Sequence, residues 1–178
     1  MLILALVVLA SPLRAAAASE DKLIADLDSS MPATVTAALQ KLEKEYPTST
    51  KAFPKIKQLL SDKREKVRRK AARVLGVLHA EVSADDLKAI TAMLKATDPQ
   101  EVMDGLKSLR GLKAAGVLPE VLPLLKHSTP NVVRDACRTV AVFGTKENIP
   151  ALEPLLNHPV AAVKSDAQDA IFQLKAKP

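Results

Sequence analysis

The chain has 178 residues and a mass of 19.1 kDa; 48% of the residues are apolar, and 26 Lys and Arg against 20 Asp and Glu leave a formal charge of +6. That balance describes a packed globular domain, and at this length one core can hide about two thirds of the surface the unfolded chain exposes. One cysteine (Cys137), five glycines, four aromatic residues and no tryptophan exclude a disulfide framework, a multi-cysteine metal centre, a glycine-rich phosphate cradle and an aromatic platform for stacking bases.

Leu2 to Ala10 is an uncharged apolar run closed by Ser11-Pro12-Leu13-Arg14, and Ala16 and Ala18 form a small-x-small signal before Ser19. This layout predicts a secretory signal peptide over residues 1–18 and a periplasmic or secreted mature protein. No Lys or Arg precedes the run, which departs from the usual pattern. The run is shorter than the about 20 residues that cross a bilayer, so no transmembrane span is expected after cleavage. A lone cysteine has no internal partner, so no disulfide is expected.

From residue 19 onward the chain repeats. Leu118-Pro119-Glu120-Val121-Leu122-Pro123-Leu124-Leu125-Lys126-His127 lies over Ile149-Pro150-Ala151-Leu152-Glu153-Pro154-Leu155-Leu156-Asn157-His158. The upstream stretches Phe53–Leu60 and Leu87–Leu94 close on the same apolar pair. Each is read as the first helix of a unit. The second helix of each unit carries a valine anchor with apolar residues four and seven positions on, one helical face: Val35, Val67, Val102, Val133 and Val163. Pro32, Pro99, Pro130 and Pro159 stand where second helices open, a position at which proline's missing N–H costs nothing. Period-two alternation is missing, so the expectation is an all-α solenoid of about five helix–turn–helix repeats, over 19–50, 51–82, 83–115, 116–145 and 146–178.

Leu59-Leu60-Ser61-Asp62, followed by Val67-Arg68-Arg69-Lys70-Ala71-Ala72-Arg73-Val74-Leu75-Gly76, resembles the HEAT-repeat pattern of leucine pair, turn aspartate, Val-Arg, alanine pair and Leu-Gly. Pro123 and Pro154 resemble the prolines that kink its first helices. The resemblance covers roughly Glu20 to Leu174 and implies a concave surface lined by second helices. It also implies an Asp-to-Arg ladder between repeats, interrupted here: Met103 and Lys164 stand where arginine is expected, and Thr129 or His158 replaces the turn aspartate.

On such a surface a ligand would meet Lys66, Arg69, Lys70 and Arg73, a candidate binding ridge, and further along Glu101, Asp104, Asp135, Asp166 and Asp169, a candidate acidic end of the groove. The charge is uneven: residues 51–82 sum to +7 and residues 19–50 to −3. A basic cluster of this density focuses potential on anionic partners, although its short extent and the shortage of aromatic residues make nucleic acid a poor fit.

Reactive constellations are not visible. His127 and His158 sit one repeat apart at equivalent positions, too far to converge on one ion; Cys137 reads as a small core residue; Ser108 and Ser165 show no histidine and carboxylate partners. The expectation is a protein without catalytic role, cofactor or metal, a scaffold of the cell envelope or secreted space that binds a protein partner, acidic or extended, along the groove. The alternatives are a self-assembling envelope subunit, a HEAT-like lyase or glycosylase, and a binder of anionic polymer.

Overall fold

The computed structural model describes residues 12–178, with side chains from Ser19 onward; residues 1–11 of the expected leader lie outside the described residues. Helices fill the chain in consecutive helix–turn–helix pairs: α1 (Pro12–Asp26) with α2 (Pro32–Glu45), α3 (Phe53–Gln58) with α4 (Glu65–Val77), α5 (Ala84–Ala92) with α6 (Pro99–Gly111), α7 (Leu118–Val121) with α8 (Pro130–Phe143), and α9 (Ile149–Leu152) with α10 (Ala161–Ala176). No strand occurs among the described residues. The expected all-α solenoid is what the structure shows.

Local chemistry sets the ends. Ser83 and Asp86 form a reciprocal capping box at the start of α5, and the Asp98 carboxylate accepts the Gln100 N–H at the start of α6. Pro32, Pro99 and Pro130 are first residues of α2, α6 and α8; Pro159 instead precedes the N-cap Val160, so α10 opens at Ala161. Pro123 and Pro154, lacking an N–H, break the first helices: α7 and α9 are single turns that continue as 3-10 turns over Leu122–Lys126 and Glu153–Asn157. His79 and Lys113 adopt positive φ just past α4 and α6. The Ala80 and Ala114 N–H groups then reach back to the carbonyls of Leu75 and Leu109, closing both helices in Schellman fashion.

In the turns before α2, α4, α8 and α10, though not before α6, where Ala96 stands, a side chain two residues ahead accepts the N-cap N–H; Ser29 Oγ takes that of Met31 at 3.2 Å. Asp62 takes the Arg64 N–H at 2.8 Å, His127 Nδ1 that of Thr129 at 3.0 Å, and His158 Nδ1 that of Val160 at 3.1 Å. The residue in the turn-aspartate position of the fourth repeat is therefore His127, not Thr129, which is the N-cap itself.

One apolar core runs from Leu23 to Leu174. Counted from the N-caps Met31, Arg64, Asp98, Thr129 and Val160, the valine anchors do not share a register. Val67 and Val163 stand three residues past the cap, whereas Val35, Val102 and Val133 stand four past it. Glu101 takes the three-residue position in α6 and is buried there. At their C-terminal ends α4 and α6 meet backbone to backbone: a Cβ on Gly111 would lie 2.3 Å from the Gly76 carbonyl oxygen. Along α8, Val133, Cys137 and Ala141 are buried, but their counterparts on the last helix, Lys164, Gln168 and Phe172, are exposed. This side of α10 is thus polar apart from the Phe172 ring.

Candidate partner-binding groove

Consecutive second helices (α2, α4, α6, α8, α10) pack directly on one another, while first helices meet mainly through their 3-10 ends. The layer whose members approach most closely is the inner one of a curved stack, so the second helices line its concave side.

The floor of this face is a ladder of ion pairs. Six residues past the N-caps of α4, α6, α8 and α10 stand Lys70, Asp104, Asp135 and Asp166. Each is met by a side chain from the preceding second helix, in two alternating ways. Lys70 Nζ lies 2.6 Å from Glu43, and Arg110 Nη2 lies 3.1 Å from Asp135; Glu43 and Arg110 are both twelve residues past their caps, so the two pairs share a geometry with the charges exchanged. Arg69 Nε lies 2.8 Å from Asp104, and Arg134 Nε 2.6 Å from Asp166, both arginines being five past their caps.

Supporting contacts hold this ladder rigid. Arg69 also reaches Glu65 at 3.0 Å and Asp98 at 3.1 Å. Burial opposes its charge, but hydrogen bonds to the Asp104 and Glu65 carboxylates outweigh it and hold the guanidinium above its ordinary pKa. Arg110 donates to the Asp135 carbonyl and to Thr139 Oγ1. A second rung runs from Arg68 to Glu101 at 3.0 Å. Arg68 stands four residues past its cap, and the α6 residue in that position is Val102, so this rung is missing between α6 and α8.

These positions change the expected charge map. Asp104 and Asp135, expected to face a ligand at the acidic end of the groove, are buried at 3% and 4% exposure; each is turned sideways into the neighbouring helix by its arginine. Asp166 is 12% exposed and neutralised by Arg134 and Arg138. Of the expected acidic residues only Asp169 is exposed, with no ion pair among the described residues. The expected basic ridge divides in the same way: Arg69 and Lys70 are bound into the ladder, whereas Lys66 and Arg73 are exposed. A shallow hollow on α4 is lined by Lys66, Arg69, Lys70, Arg73 and Asp104.

Nine residues past each cap, one turn beyond the ladder, stand Gln40, Arg73, Lys107, Arg138 and Asp169. Lys107 and Arg138 are about half exposed; both reach Asp135 only at 3.8 Å, and Arg138 shares Asp166 with Arg134, at 3.1 Å. The exposed charge of the groove is therefore basic from α4 to α8 and turns acidic only at α10. Sequence reading missed Lys107 and Arg138 because the valine anchors slip by one residue between repeats; aligning on the helix starts would have found the row.

Other candidates are structural. His127 and His158 serve their turns, and His79 Nδ1 lies 2.8 Å from the Gly111 carbonyl. Cys137 is fully buried, and that burial pushes its thiol up to about 12, which removes it as a nucleophile near neutral pH. No helix among the described residues is long and apolar enough to cross a membrane.

The sequence matches no protein-family model and no curated protein. Solved structures do resemble it. A chain of the CpcE–CpcF complex of phycocyanin lyase from Nostoc sp. PCC7120 has a TM-score of 0.75 at 24% identity, over 89% of this chain and 66% of that one. An engineered protein gives 0.68 at 20% identity, over 90% and 81%. A computationally designed armadillo repeat protein for modular peptide recognition gives 0.66 at 18% identity, over 91% and 84%. This chain thus spans just under two thirds of the lyase chain's length. The likeness shows a HEAT- and armadillo-like fold. It also overturns the expectation that the chain has no enzymatic role: a lyase complex is built on this fold, so missing nucleophile and metal motifs do not exclude an enzyme.

Proposed function

We propose that this protein binds an extended polypeptide along the concave face of its second helices. The observation that carries the reading is the ladder itself: ion pairs lock the side chains of the floor in place, so the cations in the row beside it are presented on a rigid surface. The likeness to an armadillo protein designed for peptide recognition supports it. The test is affinity capture with the native chain and a Lys66→Glu/Arg73→Glu variant, both sites exposed and outside the ladder. Loss of a specific partner by this variant, and its retention by a Lys126→Glu variant on a first helix, is expected; equal capture by all three overturns the reading.

A second reading is that the chain is a subunit of a lyase, supported by its likeness to the CpcE–CpcF complex of phycocyanin lyase. Its test is saturable, groove-dependent binding of phycocyanin subunits.

The protein is further proposed to act outside the cytosol, on the apolar stretch Leu2–Ala10 and the alanines before Ser19. Cleavage before Ser19 would spare Glu20 and Leu23 of α1 and Leu27 just after it, all buried. The intact mass of the secreted protein decides it.

A further inference from the structure

Three cations stand in the same register on consecutive second helices: Arg73 on α4, Lys107 on α6 and Arg138 on α8. Arg73 has no ion pair among the described residues, and Lys107 and Arg138 keep 46% and 48% of their side-chain surface. Arg138 also reaches Asp166 at 3.1 Å, but the carboxylates beneath the row already have closer partners in Arg69, Arg110 and Arg134, so Asp166 carries two arginines on one negative charge. The row therefore has charge to offer a ligand, one cation per repeat.

The spacing of that row selects a backbone conformation. Packed helices lie about 8–10 Å apart. A polyproline II helix rises about 3.1 Å per residue with three residues per turn, so side chains at i, i+3 and i+6 share one face about 9.3 Å apart. A β-strand presents one face only at i, i+2 and i+4, about 6.6 and 13 Å along, and neither distance fits. An α-helix could place groups about 10 Å apart seven residues on, but it docks by an apolar stripe, and this floor is made of ion pairs.

We infer that the groove, read as a polypeptide site as above, selects an acidic segment in the polyproline II conformation with carboxylates at every third residue, held by Arg73, Lys107 and Arg138. The row ends against Asp169 on α10, which repels a fourth acid and accepts a cation instead. The recognised pattern is acid-x-x-acid-x-x-acid, with a basic residue three positions beyond the acid nearest α10.

The test uses labelled ten-residue proline-rich peptides of one composition, with three glutamates placed every third residue, every second residue or consecutively. Binding to the full chain is followed by fluorescence anisotropy at low salt. Three exposed ion pairs formed together predict that the every-third peptide binds about tenfold tighter than the others. A doubly substituted Arg73→Gln/Lys107→Gln protein, its fold checked by circular dichroism, is expected to lose that advantage. If spacing makes no difference but the variant loses all three peptides, the register is wrong and the groove reading survives. If the variant binds all three as the native chain does, both fall. Tighter binding of an oligothymidylate of equal charge also overturns the polypeptide assignment.

Discussion

Arg69 on α4 donates from Nε to the Asp104 carboxylate on α6 at 2.8 Å, and that carboxylate is only 4% exposed. A charge so far out of water depends on its partner, because desolvation is compensated only while the pair is intact. Arg69→Ala is therefore expected to lower the unfolding free energy by about 3 kcal/mol. The double variant Arg69→Met/Asp104→Leu should recover most of that loss, since it removes both charges and keeps the volume. Urea unfolding of the two proteins measures both; a double variant no better than the single one would mean the pair is worth more than apolar packing at this interface.

The two turn histidines make a separate prediction. His127 Nδ1 accepts a backbone N–H, so its proton sits on Nε2, and the ring does for Thr129 what the Asp62 carboxylate does for Arg64. His127→Ala should cost about 1 kcal/mol, the usual cost of losing an acceptor at a helix start. His127→Asp should match the native protein, since a carboxylate there accepts the same N–H and favours the helix N-terminus. Equal stability of the alanine variant in urea would show that the histidine only occupies the turn.

Much of this architecture was legible in residue spacing, because helix starts, core faces and kinks depend on local rules: Pro123 and Pro154 break first helices wherever they stand. The groove was not legible, because a charge's partner depends on how far each helix is rotated against the next. Val67 and Val102 look equivalent in sequence, yet one is three and the other four residues past its cap. That slip of one residue, about 100° of rotation, hides the common register of Arg73 and Lys107. It also leaves Asp104 looking like a surface acid when it is a buried rung.

The backbone contact between α4 and α6 is expected to tolerate no side chain. A Cβ on Gly111 would lie 2.3 Å from the Gly76 oxygen, and one on Gly76 would lie 2.8 Å from the Ser108 Cα. These neighbours are backbone atoms and can yield only if the helices part. Gly111→Ala should therefore cost at least about 2 kcal/mol despite alanine's better helix propensity. Gly116→Ala, with nothing within 4 Å of its added carbon, should be neutral or slightly stabilising. Thermal melts of the two variants give the comparison, and a Gly111 variant melting with the native protein would contradict the packing described.

Acid should weaken the fold through Asp62. Its carboxylate receives hydrogen bonds from Arg64 Nε at 2.8 Å and Nη2 at 2.6 Å, while Arg64 Nη1 binds the Ser29 and Ser30 carbonyls across the preceding turn. The Arg64 side chain, more than burial opposes it, lowers the Asp62 pKa to about 2. A carboxyl whose folded value lies below its unfolded one binds more protons when unfolded. Its contribution is therefore whole above about pH 4 and drains away as the pH falls toward 2. Asp62→Asn has no such proton to gain. Between pH 5 and pH 2 the native chain should lose more unfolding free energy than the asparagine variant, and the gap between their urea midpoints should narrow steadily. Parallel curves for the two proteins would show that the Asp62–Arg64 pair does not couple protonation to folding.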